Sequence, residues 1–521
     1  VPILIITGQE ATKQFRNNNI TRMIGIQGVF TESIYQSCTK SVITCHSPEI
    51  AITEIEKSIA LIKIGRYGPS IVDIPIDVQG LKINLNEINL KKEISLKKEL
   101  SSSDLNSKDI DLIVCGLNNS TKPILWLGNG LRGMNSEELR NIILKLNIPY
   151  LTSWTANDLI NPIDNLNAGH AGTYGSRVGN LMLQSADFIL TLGTRLAIPQ
   201  KGYVDDELAR DASIYVVDID KNELDKLGER FENKFEYDAK ILLKKLSEKS
   251  RDLKKKFNYW HSHLKKLKDV YPNLENCHLH SSKDEFINSY FFISKLGSNA
   301  KPNTTFVTDM GTALISAFQI LVPRYGQKLF SSQGLGEMGY GLPGAIGAWF
   351  ANKNREIICL NCDGGLMMNL QDLQTVIHYE IPLKIIIFNN DGYLMIKHTQ
   401  DAIVNGRRAG TDKKSGLSCP NYKKIATAFG LNYLSIRNKK NTEKIISEFY
   451  SSKGPTFLEI FMPTNQPLVP KLSVNLSKTG SLISPPLEDL KPFISLKELK
   501  KYLLTDLHKN SYDINRDTDK Y

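Results

Sequence analysis

The chain has 521 residues, 41% of them hydrophobic and 23% charged, an ordinary globular composition that is too long for one core and implies two or three domains. It has no run of about 18 apolar residues to cross a membrane and does not open on a basic, apolar leader, so neither a membrane nor export is expected. The net charge of +10, from 65 Lys+Arg against 55 Asp+Glu, is compatible with nucleic acid or with small anionic substrates.

The first predicted element is Val1-Pro2-Ile3-Leu4-Ile5-Ile6, a buried-looking strand with no initiator Met or helix before it. Residues 81–108, rich in Lys, Asn, Ser and Glu, read as a linker. A second α/β pattern follows, with strands at Pro123-Ile124-Leu125-Trp126-Leu127, Phe188-Ile189-Leu190-Thr191-Leu192 and Ile214-Tyr215-Val216-Val217-Asp218. Residues 237–300 are Lys-rich and helical. A third pattern begins at Thr305-Phe306-Val307-Thr308-Asp309 and ends near Glu459-Ile460-Phe461. The tail 467–521 is polar, and its last dozen residues read as mobile. The lysine clusters (Lys91-Lys92, Lys97-Lys98, Lys244-Lys245, Lys254-Lys255-Lys256, Lys265-Lys266) stand in linkers and amphipathic helices without aromatic interleaving. They read as solvated faces, and no nucleic-acid partner is expected. Seven scattered cysteines suit a reducing cytoplasm.

The densest chemistry lies in the third pattern. The strand Glu356-Ile357-Ile358-Cys359-Leu360 leads into Cys362-Asp363-Gly364-Gly365, and Leu383-Lys384-Ile385-Ile386-Ile387-Phe388 leads into Asn389-Asn390-Asp391-Gly392. A helix-compatible stretch from Leu370 to Tyr379 lies between them. The segment reads as a βαβ unit with Asp363 and Asn390, 27 residues apart, at the carboxyl ends of parallel strands. Mg²⁺ takes hard oxygen ligands in octahedral geometry and shares them with phosphates. A carboxylate, an amide oxygen and a backbone carbonyl would leave positions for phosphate oxygens and water. Gly364 and Gly365 would let the backbone approach the phosphates.

This arrangement resembles the thiamine diphosphate signature, in which Gly-Asp-Gly and Asn-Asn are separated by a stretch of this length. The block Gly334-Leu335-Gly336-Glu337-Met338-Gly339-Tyr340-Gly341-Leu342-Pro343-Gly344-Ala345-Ile346-Gly347-Ala348 is similar to the Gly-rich block of acetolactate synthases and related enzymes. Ile6-Thr7-Gly8-Gln9, Gly65-Arg66-Tyr67-Gly68-Pro69 and Val72-Asp73-Ile74-Pro75-Ile76-Asp77-Val78-Gln79 match the same family. The resemblance runs from residue 1 to about Pro463, in family order. It implies an α/β, three-domain architecture of parallel sheets flanked by helices, with the first domain incomplete. Residues 1–80 would be the C-terminal half of the pyrimidine-binding domain, 81–108 a linker, 109–236 the central domain, 237–300 a helical linker, 301–466 the diphosphate-binding domain and 467–521 the tail.

By the same resemblance, the side chains of Asp363 and Asn390 and the Gly392 carbonyl hold Mg²⁺, and Gly311, Thr312, Gly364 and Gly365 lie near the diphosphate. The Gly336 carbonyl accepts from the 4′-amino group, Met338 props the thiazolium against the pyrimidine, and Met395 contacts the pyrimidine and faces substrate. An unbranched, polarizable Met suits packing against two rings; the alternative for Met338 is a core position at a helix start. The family's activating glutamate is expected upstream of Val1, so no catalytic residue is assigned. Glu32, Glu49, Glu54 and Glu56 follow the Thr-Gly-Gln strand and do not align with it.

The activity implied is that of an acetolactate synthase-like transferase, a carboligase dependent on thiamine diphosphate and Mg²⁺. It would decarboxylate pyruvate or another 2-oxo acid and pass the two-carbon unit to a carbonyl acceptor. A cytoplasmic homodimer or homotetramer is expected, because in the family the cofactor lies between the first domain of one subunit and the third of another. A 2-oxo acid decarboxylase or a keto-sugar-modifying member is the alternative. A non-catalytic cofactor-binding subunit is the alternative of another class.

Departures from the family bear on the acceptor. Thr312-Ala313-Leu314 stands where acetolactate synthases carry Gln-His-Gln, and Thr399 stands where they carry a Trp associated with choosing 2-oxobutyrate. Glu337 replaces a small residue and Leu394 a Gly. The central domain resembles the FAD-binding part of those enzymes through Gly169-His170-Ala171-Gly172-Thr173 and Gly193-Thr194-Arg195, which makes FAD a candidate cofactor, with ADP or none as alternatives. Cys359 and Cys362 form a Cys-x-x-Cys that elsewhere signals redox or zinc chemistry. Here a buried strand and a replaced Gly favour a structural reading. His261, His263, His278 and His280 read as surface histidines of a helical linker.

Overall fold

The computed structural model describes residues 1–15, 25–83, 105–163, 165–231, 233–253, 257–279 and 286–516. The central part of the expected linker, 84–104, lies outside the described residues, as do His280, Lys254–Lys256 and the last five residues of the tail. The chain divides into two compact units. One comprises Val1–Asn106, Ile219–Asn222 and Glu236–Asp238; the other comprises Ser107–Asp218, Glu223–Phe235 and Ala239–Tyr521.

The smaller unit is built on three parallel strands, β1 (Leu4–Gln9), β2 (Ser41–Thr44) and β3 (Ser70–Pro75), in the order β1-β3-β2. Helix α1 (Pro48–Leu61) starts where the Ser47 side chain accepts from the Ile50 N–H and Pro48 occupies the first turn. The polar residues of its motifs have an internal use. Asp73, wholly buried on β3, accepts from Thr7 Oγ1 (2.7 Å) and Gln9 Nε2 (3.0 Å) on β1, tying the two strands together by side chains as well as by the ladder. Ile5 and Ile6 on edge strand β1 remain 39% and 55% exposed.

The larger unit carries two large sheets and, in the tail, a two-stranded antiparallel pair of Asn475–Leu476 with Leu482–Ile483. In the first, β4 (Pro123–Leu127), β5 (Tyr150–Thr152), β6 (Phe188–Leu192), β7 (Ser213–Asp218) and β8 (Asn233–Glu236) lie in the order β5-β4-β6-β7-β8. Helix α2 (Arg177–Ser185) is buried along its whole length, because the C-terminal tail lies over it. Arg177 donates to Glu275 Oε2 (2.9 Å) and to the carbonyls of Leu490 (3.1 Å) and Pro492 (2.5 Å). Gln184 and Arg210 both donate to the buried Glu488 (2.7 and 2.8 Å). The expected mobility of the last dozen residues is corrected for 510–516, since Arg516 forms a two-pronged ion pair with buried Asp489 (2.6 and 3.1 Å).

Helix α3 (Asn258–Val270) buries Trp260, whose Nε1 donates to the Pro123 carbonyl at 2.9 Å. Two of the histidines expected at the surface are buried. His263 stacks on Trp260 with ring centroids 5.6 Å apart, and His278 Nδ1 accepts from the Glu275 N–H at 2.8 Å. Burial lowers both imidazoles to about 4, so they pack as neutral rings. For His263 the reason is the apolar face of α3, which the Lys-rich composition of the segment disguises, and His278 packs edge-on to Tyr290 with ring centroids 4.6 Å apart.

The second sheet has six parallel strands, β9 (Thr304–Thr308), β10 (Lys328–Phe330), β11 (Glu356–Cys362), β12 (Lys384–Asn389), β13 (Asn432–Ile436) and β14 (Thr456–Phe461), in the order β10-β9-β11-β12-β14-β13. Its central strands β11 and β12 are mostly apolar because both faces are covered. Ile386 and Phe388 enter one core with Phe306 and Leu458, while Ile385 and Ile387 enter the other with Val307 and Phe457. Helices α4 (Thr312–Ile320), α5 (Gly341–Ala351), α6 (Leu373–His378), α7 (Leu394–Ile403) and α8 (Tyr422–Ala428) flank it. From β9 the chain crosses to β10 on one side; from the adjacent β11 it crosses to β12 on the other. The crevice where such crossovers diverge, at the carboxyl ends of the strands, is where open α/β sheets bind ligands. Among the described residues no helix is long and apolar enough to span a membrane.

Arg177→Ala would leave Glu275 buried without its partner and two tail carbonyls without a donor. The expected cost is about 3–5 kcal/mol, with the tail freed to proteases. Urea denaturation and limited trypsin digestion check this, and an unchanged midpoint with an intact tail would refute it.

Candidate active site

Three strand ends meet in the crevice, those of β9, β11 and β12, and each delivers a buried polar side chain, Asp309, Asp363 and Asn390. Asp363 is wholly buried. Its Oδ2 accepts from the N–H groups of Asn390 (2.9 Å) and Gly392 (3.1 Å), its Oδ1 accepts from Gly364 N–H (2.8 Å), and its carbonyl accepts from Tyr422 Oη (2.5 Å). Burial pushes the Asp363 carboxyl up to about 6, against the opposite pull of those N–H groups and of Lys397.

The amide oxygen of Asn390 is buried without a hydrogen-bond partner. Such an acceptor is destabilising unless something satisfies it, and a hard cation beside a carboxylate would do so. The backbone turn here is set by close packing. Asp391 has φ +55° and Gly392 φ +136°, and a Cβ at Gly392 would lie 2.2 Å from the Thr411 carbonyl oxygen, so only glycine fits. Lys397, buried on α7, donates from Nζ to the Asp391 carbonyl at 3.1 Å.

Gly364 and Gly365, expected to clear a path for phosphates, have a packing reason of their own. A Cβ at Gly364 would meet the Tyr393 ring at 2.1 Å, and one at Gly365 would meet Asp309 Oδ2 at 1.7 Å. Gly311 caps α4, and Thr312 is its buried first residue, with a hydroxyl that has no partner. Gly336 packs on Met310, the residue after Asp309, where its Cβ would lie 2.4 Å from Met310 Cε. Met338, in the same loop, is half-buried. Met395 packs against the core cluster that includes Phe388 and Ile460. Thr399, one turn further along α7, is exposed and donates to the Met395 carbonyl (3.1 Å).

Two residues of this crevice were not singled out from sequence. Asp309 Oδ1 accepts from Gly339 N–H (2.8 Å) and Gly341 N–H (3.4 Å), which fastens the Gly-rich block to β9. Its Oδ2 is buried without a partner, and burial pushes the carboxyl up to about 6. The signal was there, an acid at a strand end as in Asp363. Lys397 carried none, since an interior lysine in a helix reads as solvated. Cys359 lies in the apolar core and Cys362 Sγ accepts from Ala313 N–H (3.4 Å). Burial raises both thiols, and all seven cysteines are free. Among the described residues no group of three or more His, Cys, Asp or Glu is placed to hold a metal. A cation shared with phosphates needs no such cage.

Residues 309–460, which span all three strand ends, match the thiamine pyrophosphate enzyme C-terminal TPP binding domain, and residues 110–246 match the central domain of the same enzymes. The chain belongs to the thiamine pyrophosphate enzyme family. It is 28% identical over 500 residues to an acetolactate synthase large subunit of Cyanidium caldarium, covering 92% of this chain and 81% of that one. It is 25% identical over 483 residues to the acetolactate synthase isozyme 1 large subunit of Escherichia coli (strain K12), covering 92% and 82%. A probable acetolactate synthase large subunit of Methanococcus aeolicus is 26% identical over 471 residues, 88% and 76% of the two chains. Within a thiamine pyrophosphate enzyme, a buried carboxylate next to a partnerless buried amide oxygen suits a cation bridging to diphosphate.

Asp363→Ala and Asn390→Ala should each weaken thiamine diphosphate binding in the presence of Mg²⁺ by about tenfold or more, since each removes a hard oxygen. In the unmutated protein the affinity should fall as pH drops through about 6, because protonation then removes the Asp363 charge. Fluorescence titration of the full-length protein checks both; unchanged affinities would remove the cation from this crevice.

Proposed function

We propose that the protein is a carboligase dependent on thiamine diphosphate and Mg²⁺, of the acetolactate synthase kind. It decarboxylates pyruvate or another 2-oxo acid and transfers the two-carbon unit to a carbonyl acceptor. The observation behind this reading is the partnerless Asn390 amide oxygen beside the Asp363 carboxylate, in a chain whose relatives are named acetolactate synthases. Bound thiamine diphosphate supplies the electron sink that decarboxylation of a 2-oxo acid requires.

The chain's own residues bind and orient. In this reading Asp363, Asn390 and the Gly392 carbonyl hold Mg²⁺. Gly311 and Thr312, at the amino end of α4, and the backbone of Gly364 and Gly365 face the diphosphate, where partial positive charge favours an anion. Gly336, Met338 and Met395 contact the rings, the methionines as adaptable apolar supports. The active unit is a homodimer or homotetramer.

FAD enters no step. Directly after β4 a Cβ on Gly128 would lie 2.2 Å from the Gly193 carbonyl oxygen, and in the loop before α2 one on Gly172 would lie 2.1 Å from the Pro199 carbonyl oxygen. Packing within the chain accounts for these glycines without a flavin. A second reading, a keto-sugar acceptor, is favoured by Thr399, which leaves α7 without a large aromatic wall one turn from Met395.

Full-length protein given pyruvate, Mg²⁺ and thiamine diphosphate should form acetolactate. Acetaldehyde alone would mean decarboxylation without ligation, and binding without turnover would mean a non-catalytic subunit. With pyruvate as donor, little preference for 2-oxobutyrate over pyruvate is expected, because a methylene in an apolar pocket is worth only about 1–3 kcal/mol and the wall that would sense it is gone. A strong bias to 2-aceto-2-hydroxybutyrate would return the protein to ordinary isoleucine and valine synthesis. Sedimentation showing an active monomer would overturn the proposed assembly.

A further inference from the structure

The Asn390–Gly392 turn is held from below by a residue outside every motif. Glu459 lies on β14, buried, directly across from Ile387 of β12. Its Oε1 accepts from Asn389 Nδ2 at 2.6 Å, and its Oε2 accepts from Tyr433 Oη on β13 at 2.5 Å. Asn389 Oδ1 in turn accepts from the Asp391 N–H at 3.1 Å. A carboxylate only accepts and a backbone N–H only donates, so a single orientation of the Asn389 amide satisfies both ends. Flipping it would set oxygen against oxygen and N–H against N–H. The amide therefore links strand β14 rigidly to Asp391, the one residue of the turn without a glycine's freedom that adopts positive φ.

We infer that Glu459 is a positioning residue for the cation site, acting through Asn389 to hold Asn390 and Gly392 at the geometry a bound Mg²⁺ needs. The inference rests on the proposed metal role of Asn390 and Gly392. The turn has three separate restraints. Asp363 takes the N–H groups of Asn390 and Gly392, Lys397 takes the Asp391 carbonyl, and Asn389 takes the Asp391 N–H. The first comes from the end of β11, and the last is itself braced by the Glu459 side chain on β14. Removing Glu459 frees Asn389 to rotate, and with it the peptide between Asn390 and Asp391. Mg²⁺ demands near-ideal octahedral geometry, so a loosened ligand turn raises the cation concentration required.

The test measures the Mg²⁺ concentration for half-maximal thiamine diphosphate binding to full-length protein, by fluorescence, alongside the melting temperature without cofactor. Glu459→Ala and Asn389→Ala should each raise that concentration by about tenfold, the low end of what outer-shell partners of metal ligands cost. Glu459→Gln, which can still present an oxygen to Asn389 and an amide N–H to Tyr433, should stay near the unmutated value. Tyr433→Phe should lower the melting temperature without moving the Mg²⁺ requirement, a separation that a merely structural role for Glu459 would not produce. If Asn390→Ala raises the requirement while Asn389→Ala and any folded Glu459→Ala leave it unchanged, the relay is wrong and the site stands. If Asn390→Ala itself has no effect, the metal reading falls and this inference falls with it.

Discussion

The constraint on which the site depends is the burial of the Asp363 carboxylate at the end of a central strand. An ionised carboxylate away from water is costly unless hydrogen bonds or a cation compensate it. Here the compensation comes from backbone N–H groups of two separate segments, Gly364 beside it and Asn390 and Gly392 at the end of the next strand. One side chain thereby fixes the spacing of two strand ends, and Tyr422 of α8 locks its backbone from behind. What it leaves over is the Asn390 amide oxygen, turned inward and unpaired.

Asp309 repeats the device one strand away. It sits at the end of β9, is buried, and spends one oxygen on the N–H groups of Gly339 and Gly341. The two carboxylates stand on either side of the point where the crossovers diverge, so the loops they hold form the two walls of the crevice. Gly365, against which Asp309 Oδ2 rests, belongs to the Asp363 turn. The walls are thus in direct contact, and a side chain at that glycine would force them apart. Beside Asp363 the buried ammonium of Lys397 supplies positive charge that offsets part of the cost of burying the carboxylate.

The central sheet and the tail follow a different logic. After β4 and β6 the chain turns at Gly128 and Gly193, which pack against each other, and Arg177, Gln184 and Arg210 bind the tail to α2 and its surroundings. Such buried pairs specify where the tail lies more than they add to net stability. Trp154 stacks on Phe318 of α4 with centroids 5.3 Å apart, which places the first sheet's β5 loop against the helix that begins at Thr312.

Much of this was legible in the amino-acid order. Short β-branched and aromatic runs such as Ile385-Ile386-Ile387-Phe388 read as strands covered on both faces, and the residues at their carboxyl ends, Asp363 and Asn390, follow from chain order alone. The α/β class and the family rested on those local patterns and on motifs whose spacing reflects one helix and one strand. Pairings between distant segments were not legible. Nothing local in Glu459 says that it faces Asn389 from the neighbouring strand, in Lys397 that its amine is folded under a turn, or in His263 and His278 that they are interior. Composition also misled where a Lys-rich helix hid an apolar face around Trp260. The sequence by itself determined which residues end strands, because strand formation is a local matter of side-chain alternation and backbone preference. Only the tertiary structure decided which of those ends meet and which polar groups are left unpaired, because strand order and burial are set by contacts between residues far apart in the chain.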